Sequence, residues 1–102
     1  MNTQNKIIAL IIALLMTVAA PAMANDDDLH YQQNSSQYIN HNQAGKKAVS
    51  AVGGGMVKEV DFEYQAHLNR AYFEVEVIHN GKEYDVIVDA KTGKVISKKR
   101  DS

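Results

Sequence analysis

Seven carboxylates recur at every second position of three short segments: Glu59, Asp61 and Glu63, then Glu74 and Glu76, then Glu83 and Asp85. A spacing of two puts side chains on one face of an extended strand. Carboxylates gathered this way have three chemistries open to them. They can hold a hard cation such as calcium, which takes several carboxylate oxygens. They can attract a basic segment of another protein. They can work as an acid and a base, provided a pocket drives their pKa values apart. An open sheet has no such pocket, which leaves a basic partner, a cation, or an ordinary solvated face of acids.

Other candidate chemistry is thinner. His30, His41, His67 and His79 have no ligand spacing and there is no cysteine, so no transition-metal set is legible. Gly53-Gly54-Gly55 resembles a phosphate cradle in composition only. A cradle needs its glycines before a helix N-terminus, with amides facing the anion, and these follow the only helix expected. No serine has a histidine and an acid at a readable spacing. The chain is therefore not expected to be an enzyme or to carry a cofactor.

The acids must be positioned by strands, and the segment 71–98 supplies them. Phe73, Val75 and Val77 alternate with Glu74 and Glu76. Asn80-Gly81 is a strong hairpin signal, because a type I′ turn needs positive φ at both central residues. A two-residue loop there pairs His79 with Lys82, Val77 with Tyr84, Val75 with Val86 and Phe73 with Val88. Turn and hydrophobic pattern thus demand the same register. Asp89 through Lys94 reads as a second turn, with Asp89 at its start and Gly93 in the left-handed position. Continuing that pairing sets Val88 against Val95, Ile87 against Ile96 and Asp85 against Lys98, over a last strand from Lys94 to Lys98. Upstream, Val60, Phe62 and Tyr64 alternate with Glu59, Asp61 and Glu63 in a strand from Met56 to Tyr64. An antiparallel return sets Tyr64 against Ala71, Phe62 against Phe73 and Val60 against Val75.

A helix is expected over 39–52. Asn40 and Gln43 form a capping-box pattern, and Ile39 and Ala44 occupy the positions of a hydrophobic staple. Ala44, Ala48, Ala51 and Val52 make a narrow apolar stripe that suits close packing on a sheet. Glycine at position 53 is favoured just past a helix C-terminus. The expected fold is α+β: one N-terminal helix packed on a four-stranded antiparallel meander, order 1-2-3-4. The helix covers the apolar face and the seven acids lie on the other, partly neutralised by Lys94 and Lys98. Tyr72, Ile78, Ile87 and Ile96 share that open face.

The start of the chain reads differently. Lys6 precedes an apolar run of about fourteen residues, Ile7 to Ala20, followed by Pro21 and Ala22-Met23-Ala24. That is the layout of a secretory signal peptide over 1–24, cleaved between Ala24 and Asn25. The run falls short of the ~20 apolar residues a spanning helix wants, so no membrane association is expected after cleavage. Residues 25–38 are polar and read as a flexible leader. Asp26, Asp27, Asp28 and His30 suggest a metal tail, but the copper-type amino-terminal motif places histidine third, where Asp27 stands. Residues 100–102 read as a tail. Net charge is −1 for the 102 residues and becomes −2 when Lys6 leaves, which argues against a nucleic-acid binder. Without cysteine, the exported domain has no disulfides to lean on.

The strand ending Asp89-Ala90-Lys91-Thr92-Gly93-Lys94-Val95, after an Asn80-Gly81 hairpin and a helix with a glycine-rich exit, resembles the PepSY domain over 39–99. The family is named for propeptides of secreted metallopeptidases and a spore-germination protein. Its small exported members are thought to restrain peptidases. The resemblance implies a periplasmic or secreted regulator whose partner is a peptidase or another envelope protein. A cation or small-ligand sensor and a structural homodimer are the rival readings. On the residues alone, Asn80, Gly81, Asp89 and Gly93 are turn formers.

The exported protein is expected to have the intact mass of a chain beginning at Asn25. A mass that includes Met1 overturns the signal-peptide reading.

Overall fold

The computed structural model describes residues 26–101. The expected signal peptide and the Ala24–Asn25 junction lie outside them. Two helices, α1 (Asp26–Asn34) and α2 (His41–Val52), precede four strands. These are β1 (Met56–Gln65), β2 (Arg70–His79), β3 (Lys82–Asp89) and β4 (Val95–Arg100). The strands form one antiparallel sheet in the order β1-β2-β3-β4.

The β2–β3 hairpin has the register its turn demands. His79 pairs with Lys82, Val77 with Tyr84, Val75 with Val86 and Phe73 with Val88. Asn80 and Gly81 both take positive φ, 53° and 75°, as a type I′ turn requires. Phe73, Val75, Val77, Val86 and Val88 are fully buried beneath α2, which contributes Ala44 and Ala48.

α2 is fixed at both ends. The Gln43 amide donates to Asn40 Oδ1 at 2.7 Å and the Asn40 amide donates to Gln43 Oε1 at 2.8 Å, a complete capping box. At the other end Gly53, at φ 92°, donates to the Ser50 carbonyl and Gly54 to the Val49 carbonyl. This is the paired arrangement that satisfies a helix's last carbonyls. The Lys98 ammonium adds a bond to the Ala51 carbonyl at 3.1 Å, where a cation also suits the helix dipole. Gly45 faces β1 so closely that a Cβ there would meet Val57 Cγ2 at 3.1 Å. The glycine that weakens the helix is what allows it to approach the strand.

Two bulges depart from the expected pairing. Between β1 and β2, Val57 pairs with Val77 and Glu59 with Glu76, so Lys58 is the extra residue. Strict alternation back from Val60 would send Lys58 under α2. The bulge gives Val57 that place and puts Lys58 on the open face. Between β3 and β4, Val88 pairs with Val95 but Ile87 pairs with Ser97, making Ile96 the extra residue. The expected pairs Ile87–Ile96 and Asp85–Lys98 are therefore corrected to Ile87–Ser97 and Asp85–Lys99. β4 also runs on to Arg100, so position 100 is strand and not tail.

The largest correction is α1. The segment read as a flexible leader is a helix followed by a 3-10 turn, Ser35–Gln37, which makes two helices where one was expected. Its three aspartates fill the first turn, where the helix dipole favours negative charge. It holds to the sheet through two adjacent rings. His30 stacks on Tyr64 with centroids 3.6 Å apart and planes within 7°, and its Nε2 is hydrogen-bonded to the Tyr38 hydroxyl at 2.8 Å. Tyr31 packs against Phe62 and edge-on to His41, both at 5.0 Å, and donates its hydroxyl to the Ile39 carbonyl.

Tyr31→Ala removes several aromatic contacts at once and is expected to cost about 2 kcal/mol in urea unfolding. Leu29→Ala, at a 44% exposed position of the same helix, is expected to change stability by less than about 0.5 kcal/mol. Equal effects of the two would show that α1 is not docked.

Candidate functional site

The acids meet on the face that α2 leaves open. Glu59 pairs with Glu76 and Asp61 with Glu74 across β1–β2. Glu76 pairs with Asp85 across β2–β3. Glu63 lies opposite Tyr72 and Glu83 opposite Ile78. Like charges directly across a sheet are destabilising, and four of the acids are held above their ordinary range by burial and by neighbouring carboxyls. A hydrogen bond shared with Asp61, then the charges of Asp61 and Glu76, hold the Glu59 carboxyl above the ordinary range. Burial and then the Asp27 carboxyl of α1 do the same to Glu63. Glu76 is raised by partial burial and by Glu83, and Asp85 by burial, Asp101 and Glu83.

Carboxylate oxygens of Glu76, Glu83 and Asp85 lie within 4.8 Å of one another, close enough in principle to share a cation. The protein supplies its own. Lys58 Nζ sits 3.3 Å from Glu83 and 3.8 Å from Glu76, and the Glu83 hydrogen bond, followed by the neighbouring charges, raises the lysine's own pKa. The counter-charge expected of Lys94 and Lys98 thus comes from other residues. Lys98 crosses to the helix face, Lys94 stays in the turn before β4, and Lys99 is the residue opposite Asp85. Lys58, Lys99, Asp27 and Asp101 were not among the expected site residues. Lys58 carried a signal: a lone lysine in the apolar phase of an alternating strand marks a bulge.

At one end of the acidic band Tyr72, Ile87 and Ile96 line a cleft of about 210 Å³ with Gln65 and Arg70. On the opposite side of β1 a larger groove, about 680 Å³, runs between that strand and α2. Gly45, Val49, Val57 and Val60 line it, with His41 and Lys46.

Asp89 and Gly93 stand apart from both. Asp89 Oδ2 accepts from the Lys91 amide, the Thr92 amide at 2.7 Å and the Thr92 hydroxyl at 2.9 Å. The Gly93 amide donates to the Asp89 carbonyl, with Gly93 at φ 79°. Every polar atom of Asp89 named here is committed to the turn. The same turn ties the fold together, since Ala90 donates its amide to the Ala71 carbonyl and accepts from the Ile39 amide at 2.8 Å.

Among the described residues no helix is long and apolar enough to cross a membrane. A family model described as PepSY, the peptidase propeptide and YPEB domain, matches residues 38–99, which takes in α2 and β1 to β3 whole and nearly all of β4. No curated protein and no solved structure matches the chain.

The raised carboxyls set the pH dependence. Their folded-state pKa values lie above the unfolded ones, about 3.9 for Asp and 4.3 for Glu, so the folded protein binds protons more tightly. That contribution is complete below the unfolded values and is lost as pH rises through the folded ones. The melting temperature is expected to rise as pH falls from 7 toward the unfolded values of about 4. Added salt should raise it at pH 7. Glu63→Gln, which relieves the contact with Asp27, should stabilise at pH 7 by up to about 1 kcal/mol and do nothing at pH 3. A melting temperature that falls steadily from pH 7 to pH 5 would contradict this account of the face.

Proposed function

Because the chain belongs to the PepSY family, we propose that it is an exported, non-catalytic binding module that restrains or modulates a peptidase or another protein of the bacterial envelope. The observation that carries this reading is the combination of family and surface. A domain of a family known for peptidase propeptides carries an open face on which carboxylates stand opposite one another. Opposed like charges are relieved when a basic partner lies across them. The seven acids, Glu59, Asp61, Glu63, Glu74, Glu76, Glu83 and Asp85, are the proposed contact surface.

The edge strands add to it. An edge presents unpaired backbone groups to which a partner can add a strand. β4 ends in Lys98, Lys99 and Arg100, and lysines are a common guard against indiscriminate pairing. β1 has one lysine, engaged with Glu76 and Glu83, and is the edge proposed for docking. The rival reading as a cation sensor gains little from the Glu76, Glu83 and Asp85 cluster, because Lys58 already lies against it.

Photo-crosslinking from exposed β1 positions such as Met56 and Asp61, in the cells that make the protein, should give a discrete adduct identifiable by mass spectrometry. The adduct should be reduced by Asp61→Lys and unaffected by changes at exposed Lys91. Purified protein should then inhibit or alter the activity of the captured peptidase. No adduct from β1, β4 or the acidic face would rule out the binding-module reading.

A further inference from the structure

β1 has two dissimilar sides, and both are open at its edge. On one side stand Glu59 and Asp61, exposed. On the other lies the 680 Å³ groove floored by Val49, Val57 and Val60. Met56 and Val57, at the start of the strand, are 68% and 37% exposed, more than large apolar residues beside a sheet need be. The rings of α1 pack against Phe62 and Tyr64, in the second half of the strand. The groove owes its depth to Gly45, where a side chain would meet Val57.

A strand added to β1 would lie about 4.8 Å away and send alternate side chains to opposite faces. Those on the carboxylate side would sit beside Glu59 and Asp61, because Lys58 on the same face reaches inward to Glu76 of β2 and Glu83 of β3. Those on the other would enter the groove. We propose, resting on the binding-module reading above, that the first half of β1 (positions 56–61) docks an extended segment of a partner protein in which basic residues alternate with large apolar ones. Charge complementarity selects this occupant. Lys46 lines the groove and disfavours a cation there, while the carboxylates disfavour an acid opposite them. A second copy of the chain does not fit the same edge, since antiparallel β1–β1 pairing sets Glu59 and Asp61 of one copy against those of the other. Gly45 and the Lys58 bulge thereby acquire a common purpose: one opens the groove, the other keeps a lysine out of it.

The test uses the full chain as the cell produces it and three capped peptides of about eight residues, a typical strand length: alternating Lys and Val, alternating Glu and Val, alternating Lys and Ser. Calorimetry at low salt should show the Lys–Val peptide binding at least about tenfold more tightly than either of the others, the size expected when two cross-strand charge pairs change sign. Backbone amides between Met56 and Asp61 should become protected from exchange on its addition, and those of β4 should not. Glu59→Lys with Asp61→Lys should reverse the preference to Glu–Val, a gain that misfolding cannot mimic. Val57→Gln should erase the difference between Lys–Val and Lys–Ser. Equal binding of Lys–Val and Lys–Ser by the unchanged protein, protection at β4 instead, or no peptide binding at all overturns the inference. The wider reading has its own arm. A partner crosslinked at β1 whose contacting segment lacks the alternation defeats this inference and leaves the binding module standing, whereas absence of any crosslinked partner defeats both.

Discussion

A two-residue turn leaves β2 and β3 no latitude in register, and most of the molecule hangs on that. Asn80 and Gly81 both hold positive φ, so the strands leave the turn as His79–Lys82 and pair outward from there. A slip of one residue would turn one of the two strands over, sending either Glu74 and Glu76 or Asp85 beneath α2 and exposing Phe73 and Val75 or Val86 in their place. The burial of those apolar residues and the crowding of the carboxylates are two results of one constraint. The acidic face cannot be rearranged without dismantling the core.

This constraint is also why the central architecture was legible in the residues. Hairpin chemistry and period-two patterning agreed at every pair of β2–β3, and the β1–β2 pairs from Val60 to Tyr64 followed the same logic. The capping box at Asn40 and the left-handed Gly53 were local signals whose chemistry is complete within a few residues. Where the residues misled, the deciding interaction was long-range. Pairing arithmetic assumes no bulge, so the count failed past Ile96 and moved Lys98 to the wrong face. α1 was missed because its hold on the sheet comes from the adjacent rings of His30 and Tyr31, which leave no 3.6-residue period. Their partners, Phe62 and Tyr64, lie some thirty positions along the chain.

The candidate site divides in the same way. The seven acids were readable because alternation alone places them. Their modifiers were not. Lys58 and Lys99 each reach the face only through a bulge, and Asp27 only through α1. The groove between α2 and β1 had one trace in the sequence, the unexplained Gly45 in the middle of a helix. Its meaning depends on how near Val57 comes, which no local pattern encodes.

The junction at Ala90 reaches beyond its size. It sits in a surface turn, yet it is wholly buried, and its backbone is tied to Ala71 in β2 and to Ile39 at the head of α2. Three stretches remote in the chain meet at the backbone of one residue. Mutational tolerance along this loop should therefore be sharply uneven. Lys91 faces solvent beside a position as unforgiving as any in the interior, whereas exposed Thr92 is held by its bonds to Asp89. Selection for folding alone would hold this turn in place, with no ligand needed at Asp89 or Gly93.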